Sequence, residues 1–382
     1  MNRTRQLAAA VGLQLLQPTY NWEPARPDRA LEFPRDHGAH RKAAYEWWYW
    51  TGFLSEKEKE FAGFQATIFR ISPPAGPRPA HGRRPENASW IMVHAGFSDF
   101  TTGKMQHRSW SFQERIGVSK LDESQLMIDV PGLKASMPSA DSFSLEFALP
   151  ANPGSHPPPK LALKLTTQKP VVLHGENGFS QKGPCATCAS HYSSFTRLAG
   201  NFQLAGMPSI YPATGTATSW FDHEFGSQTL DGDQTGWDWF SIQLDGPSEE
   251  FSEEFMIFQV RSSSQKPWRH ATHVDARGRA TSITGVELKP EGEWVSPASH
   301  GRYPQSWVLS IPVASSTSGS PGQIRELRVA PRFHAQEALS SHPAMPTYWE
   351  GACQVFDVQT GKRVGRAYLE MTGYAPGSRP GI

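Results

Sequence analysis

Long apolar runs are missing from this 382-residue chain; none approaches the ~20 residues that a membrane-crossing helix requires. A surplus of charge is missing as well. With 37 basic against 36 acidic residues the formal net charge is +1, which argues against nucleic acid as a partner. Cysteine is scarce, and three residues do not make a disulfide scaffold. Cys185 and Cys188 form a C-x-x-C pair, but no second pair completes a four-ligand zinc site. Gly183-Pro184 before it and Ser193-Ser194 after it deny it the strand-then-helix setting of a redox motif, so the pair reads as plain loop. Also absent are G-x-S-x-G, a phosphate-binding glycine loop and H-E-x-x-H. A conventional hydrolase or nucleotide enzyme is disfavoured, and neither cofactor nor metal is expected.

What the chain does have is aromatic rings, 11% of residues with 13 Trp, and turns, from 33 Gly and 32 Pro. Helix signals are few, while strand signals recur at 61–70, 90–97, 142–149 and 161–165, the last two alternating with period two. Strand-like runs continue at 237–244, 254–261, 307–311 and 324–329. Residues 348–372 read as a terminal hairpin turning at Thr360-Gly361. Loops with surface composition fall at 71–89, 150–160 and 312–323. Short strands joined by long loops predict an all-β protein, and the chain is too long for one ordinary core. The expected division is an N-terminal segment at 1–32, a first β domain at 33–195 and a second at 196–382. Arg3 and Arg5 precede an apolar stretch at 7–16 that resembles a weak export signal without a cleavage site. Cytoplasm and periplasm both stay open as the compartment.

Acids and a histidine sit among large rings in Trp220-Phe221-Asp222-His223-Glu224-Phe225-Gly226, and again in Trp237-Asp238-Trp239-Phe240. Glu46-Trp47-Trp48-Tyr49-Trp50-Thr51-Gly52 is a similar cluster. Rings give a greasy, polarisable lining, and burial among them raises a carboxyl pKa so that the acid keeps its proton. That is the profile of a pocket for a hydrophobic small molecule, with Asp222, His223, Glu224 and Asp238 as candidates for acid chemistry. Alternation puts Asp222 and Glu224 on the face of Trp220, and His223 on the other with Phe221 and Phe225. His223 is expected inside a barrel, with the acids at its rim or at the domain junction. A network joining the domains, a catalytic role and metal ligation all stay open for this trio. Trp47 and Trp48 must point to opposite faces, one toward a core and one toward a cavity. Arg70 either pairs with Glu46 or holds an anionic head group. Tyr49, Gln65, Phe69, His94 and Tyr192 are further candidate wall residues, as are Phe225, Trp237, Trp239, Trp349 and Tyr374, with simple packing as the alternative for each.

Residues 33–40, Phe-Pro-Arg-Asp-His-Gly-Ala-His, lead into the 46–52 cluster, followed by Gly63-Phe64-Gln65, Phe69-Arg70 and His94-Ala95-Gly96-Phe97-Ser98-Asp99. Lys182-Gly183-Pro184, His191-Tyr192-Ser193, the acid–aromatic blocks, Tyr348-Trp349-Glu350-Gly351-Ala352 and the run 368–374 continue the series. Together these motifs resemble the carotenoid 1,2-hydratase (hydroxyneurosporene synthase) and AttH-like family over about residues 33–376. The resemblance implies two consecutive lipocalin-like antiparallel β-barrel domains with long surface loops and few helices. It implies an isoprenoid, polyene or lipid-like ligand and acid-assisted, metal-free chemistry of hydratase or cyclase (pericyclase, isomerase) type. The alternative is a non-catalytic carrier, a periplasmic accessory with a membrane-associated or ABC-type transporter partner. A monomer is expected. Two departures stand out. The strand on which the hydratases' proposed catalytic acid falls reads Phe255-Met256-Ile257-Phe258-Gln259-Val260-Arg261, without a carboxylate, and Phe225 replaces the family's usual Trp.

Overall fold

The computed structural model describes residues 22–378 except 73–88, 116, 151–156, 186, 228–229, 231, 247–251, 314–322 and 341–345. The export-like stretch at 7–16 lies outside the described residues, as do most of the three surface loops. Among the described residues, a 3-10 turn at Arg35–His37 interrupts otherwise all-β structure.

The first sheet contains β1 (Tyr45–Glu56), β2 (Lys59–Ile71), β3 (Trp90–Asp99), β4 (Lys104–Gln113), β5 (Lys120–Leu121), β6 (Met127–Val130) and β7 (Leu133–Ser139). It continues with β8 (Ser142–Ala148), β9 (Lys160–Thr167), β10 (Val172–Leu173), β11 (Phe179–Gln181), β12 (Ala189–Ala205) and β13 (Thr214–Gly226). Its order is β4-β3-β2-β1-β13-β12-β9-β8-β7-β6-β5, with β10 and β11 added against β12. The remaining strands are β14 (Gln234–Leu244), β15 (Glu253–Ser262), β16 (Trp268–Val274), β17 (Ala280–Ile283), β18 (Glu287–Glu291), β19 (Trp294–Val295) and β20 (Arg302–Tyr303). After them come β21 (Ser306–Val313), β22 (Gln323–Pro331), β23 (Glu337–Ala338), β24 (Tyr348–Asp357) and β25 (Arg363–Thr372). They form a sheet ordered β17-β16-β15-β14-β25-β24-β22-β21-β18, with β23 on β24 and a separate β19-β20 ribbon. Both sheets are antiparallel and curl into half-barrels, each around its own apolar core.

The division at 195/196 is corrected by strand pairing. β12 runs unbroken for 17 residues through both positions. It pairs with β13, which returns against β1, so Ala189 to Gly226 completes the first sheet. The chain changes sheet between Gly226 and Gln234.

Several strands are buried on both faces, and this is what creates the site. Along β1, Trp48, Trp50 and Leu54 fill the first core, while Tyr49 and Phe53 face the other way into a third aromatic cluster. In β14 and β15, Phe240, Ile242, Phe255 and Ile257 enter the second core, and Trp239, Met256 and Phe258 enter the shared cluster. Strict period-two placement thus supplies two apolar faces from one strand. Burying each such ring or aliphatic chain contributes roughly 1.5–3 kcal/mol, so the sheet-to-sheet contact is a third core. Gly52 serves close approach in the first core: a Cβ there would stand 2.2 Å from the Thr218 carbonyl oxygen and 2.6 Å from the Phe64 ring.

Candidate functional site

Between the two sheets, inside this third cluster, lies a cavity of about 80 Å³. Trp47, Tyr49 and Phe69 wall it from the first sheet, and Trp237, Trp239 and Phe258 from the second. Four carboxyl groups reach it: Asp222 and Glu224 from β13, Glu350 from β24 and Glu370 from β25. Asp222, Glu224 and Glu350 are buried, and Glu370 is half-buried.

Each acid has its own setting. Asp222 accepts hydrogen bonds from Tyr192 Oη (2.7 Å), Trp220 Nε1 (2.6 Å) and Ser194 Oγ. Tyr192 in turn accepts from Trp239 Nε1 at 2.9 Å, which ties the two sheets together through the acid. Burial outweighs these donors and raises the Asp222 pKa to about 7. Glu224 accepts from Ser190 Oγ at 2.5 Å and meets Lys182 Nζ at 3.0 Å. The Lys182 ammonium also lies 4.2 Å from the Phe258 ring centre, a cation–π position. Glu350 and Glu370 are register partners on β24 and β25, two acids side by side. Burial first, and then the Glu370 charge, hold Glu350 well above the usual carboxylate range. Burial also raises Glu370, helped by the charges of Asp222, Glu224 and Asp238, against a hydrogen bond from Trp237. Tyr49 donates to Glu350 Oε1.

Eight of the residues expected from the sequence meet at this cavity: Trp47, Tyr49, Phe69, Tyr192, Asp222, Glu224, Trp237 and Trp239. The others do different work. Asp238, expected as an acid, accepts from Arg261 Nη1 (2.6 Å), Gln259 Nε2 (2.7 Å) and Tyr374 Oη (3.0 Å), and its carboxylate is spent on that cluster. Trp349 packs in the second core with its Nε1 on the His334 carbonyl. Trp48 packs in the first core, against the His223 ring at 4.9 Å. Phe225 stacks on His40 with centres 3.4 Å apart. Gln65 and His94 stand behind the cavity wall, where His94 Nδ1 lies 2.6 Å from Tyr348 Oη. Arg70 takes the structural option: its Nε donates to Glu46 Oε2 at 3.0 Å and both side chains are fully buried.

Sequence reading did not single out Thr67, Lys182, Leu230, Phe258, Val260, Tyr348, Glu350 or Glu370 for the cavity. For the two glutamates the signal existed. A hairpin centred on Thr360 sets 350 opposite 370, and like charges facing each other in a buried sheet call for a proton. Reading Cys185 and Cys188 as plain loop also needs correction, because they form a disulfide. The bridge closes the loop that presents Lys182, whose N–H donates to the Cys188 carbonyl at 2.7 Å. A disulfide across three residues is local, so neither composition nor count reveals it.

One group is arranged as a metal site would be. Ligand atoms of His40, Glu46 and His223 all lie within 4.8 Å of one another. His40 Nδ1 and His223 Nε2 stand 2.7 and 2.9 Å from Glu46 Oε1, and the Arg70 guanidinium already serves the other carboxylate oxygen. An ion there would have to displace these bonds next to a fixed cation.

Asp222 makes stability fall as pH rises. Its folded pKa, about 7, exceeds the ordinary 3.8, so the folded state binds more protons and the contribution is complete below pH ~4 and gone above pH ~7. The span corresponds to at most about 4 kcal/mol. Asp222→Asn should lack that slope. Thermal melts of both proteins from pH 4 to 8 check it: the difference in Tm should move steadily in favour of the variant, and a constant difference would contradict the raised pKa.

No curated protein sequence matches the chain. Among solved structures, a protein from Nitrosomonas europaea described as an AttH is 29% identical, with a TM-score of 0.73 over 92% of this chain and 100% of that one. Kievitone hydratase from Nectria haematococca has a TM-score of 0.60 at 14% identity, over 92% of this chain and 97% of its own, a likeness of fold. The family model described as AttH-like matches residues 24–374, and the chain belongs to that family.

Proposed function

We propose that the protein binds a hydrophobic, alkene-bearing molecule between its two sheets and adds water to it by carboxylic-acid catalysis. One observation carries this reading: the buried Glu350 paired with Glu370 beside an aromatic cavity. Two acids this close cannot both ionise cheaply, so one holds a proton at neutral pH and can give it to carbon. In the proposed step the alkene π pair takes the Glu350 proton, forming a C–H bond and a carbocation. The faces of Trp47, Trp237, Trp239 and Phe258 stabilise that cation by ~2 kcal/mol or more once water is excluded. Water then forms the C–O bond and releases its extra proton to a neighbouring carboxylate, so the sum is alkene plus water to alcohol. The step draws only on the chain's own acids.

Membership of the AttH-like family and the shared fold with a hydratase agree with this reading. A carotenoid substrate is the finer version; a cavity of about 80 Å³ must widen to take any long polyene. The carrier alternative needs the apolar walls but not the acids. Incubation with a panel of isoprenoid alkenes from geraniol to lycopene in oxygen-18 water tests the proposal. Labelled alcohol supports it, and ligand retention without any labelled product across the panel favours the carrier.

A further inference from the structure

A second polar group lies directly behind Glu350, on the same face of the first sheet as the cavity wall. Register sets Thr67 opposite His94, and Gln65 opposite Gly96, which in turn faces His107 on β4. The missing Cβ of Gly96 makes room here, since a Cβ would stand 3.0 Å from Gln65 Cγ. From the second sheet, the Tyr348 ring stacks on His94 with centres 5.6 Å apart and meets the edge of His107 at 6.4 Å. Tyr348 Oη contacts His94 Nδ1 at 2.6 Å and also hydrogen-bonds Glu350. A continuous line therefore runs from Glu350 through Tyr348 to His94, with His107 beside it.

Counting protons fixes the direction of that line. To react, the Glu350 proton must face the alkene, so Tyr348 spends its single O–H on a Glu350 lone pair and must accept from His94, whose Nδ1 then carries the hydrogen. Burial, and then the charge of His107, hold the His94 pKa well below the ordinary value, so the ring is neutral and its Nε2 is a bare lone pair. That Nε2 is buried and has no hydrogen-bond partner among the described residues, and His107 Nε2 shares this condition. Gln65 Oε1 is already taken by Thr67 Oγ1 at 3.2 Å and its amide also serves Tyr348, which leaves the second amide N–H to donate. Unmet buried acceptors beside an unmet donor suit a group that both gives and takes a hydrogen bond.

We propose that Gln65, His94 and His107 hold a water molecule, and that Tyr348 and His94 pass protons between that water and Glu350. The proposal rests on the hydration reading above. When Glu350 has given its proton to the alkene, Tyr348 O–H shifts to the carboxylate, His94 Nδ1–H shifts to the tyrosine oxygen, and water protonates His94 Nε2. The hydroxide so formed takes a proton from solvent at the half-buried His107 end, the carboxylate that took the attacking water's proton returns one to solvent, and gain of a proton at His94 Nδ1 with loss of one from Nε2 restores the starting tautomer. Tyr348 and His94 are positioning and relay residues, since neither donates to carbon.

Nitrogen-15 spectra of histidine-labelled full-length protein test the geometry without any substrate. The expected result is a neutral His94 protonated on Nδ1, with the Nε2 resonance moved upfield as an accepted hydrogen bond moves it; Tyr348→Phe should mix the two tautomers. A proton on Nε2, or a charged ring, overturns the proposal, because Tyr348 would then point its O–H at His94 and not at Glu350. His94→Asn keeps an N–H for Tyr348 but has no basic nitrogen beyond it to take a proton from the water. With geraniol as the probe it should lower kcat by about 100-fold and leave KM unchanged. Wild-type kcat in that variant also overturns the proposal. If the wild type hydrates nothing, the functional reading fails separately, and the His94 tautomer alone decides this one.

Discussion

Glu350→Gln is expected to cut turnover by about 100-fold or more while sparing retention of the ligand. Glutamine keeps the shape and accepts from Tyr49, but offers carbon no acidic proton. Its effect on stability has a distinctive sign. Because the folded pKa of Glu350 lies above that of the unfolded chain, wild-type stability from this group is present in acid and lost as pH rises through the folded value. The variant should therefore gain on the wild type in alkali. Turnover, ligand retention and urea unfolding at pH 6 and 9 measure all three. Loss of binding together with loss of stability would mean that the glutamate pair holds the sheets together and does no chemistry.

Removing Glu46 should cost more stability than any other single change described here, about 3–5 kcal/mol, because it strands the fully buried Arg70. Burial alone would raise the Glu46 pKa, but the His40 charge, hydrogen bonds from His223 and His40, and Arg70 outweigh it and hold the group well below the ordinary range. Its contribution is thus complete above pH ~4.5 and disappears as pH falls through the folded value. Urea unfolding of Glu46→Ala at pH 7 gives the loss directly. The double variant Glu46→Leu with Arg70→Met should recover much of it, since no buried charge is then left unpaired. A single-variant cost below about 1 kcal/mol would show that water reaches the network. Activity should suffer only through folding, because these residues face the interior of the first half-barrel.

The alternation argument reached further than the motif argument. Opposite faces for Trp47 and Trp48, and for His223 against Asp222 and Glu224, follow from the pleat, and each pair separates in this way between the first core and the cavity. Asp238 looked equivalent to Asp222 because both sit among tryptophans. What distinguishes them is a neighbour on another strand: Arg261 sits 2.6 Å from Asp238, while Asp222 has only neutral donors. No spacing within 237–240 carries that information. The domain edge was misread for a related reason. A loop containing Cys185 and Cys188 resembles a linker, but the strand after it returns to pair with β13.

Taken alone, the order of residues determined an all-β chain, two successive sheets, and which rings share a face, because each of these depends on local alternation. Only the folded arrangement decided which acids meet, which are neutralised by arginine and which keep a proton. Those outcomes depend on distance and burial between strands far apart in the chain, and Coulomb and desolvation energies are set there.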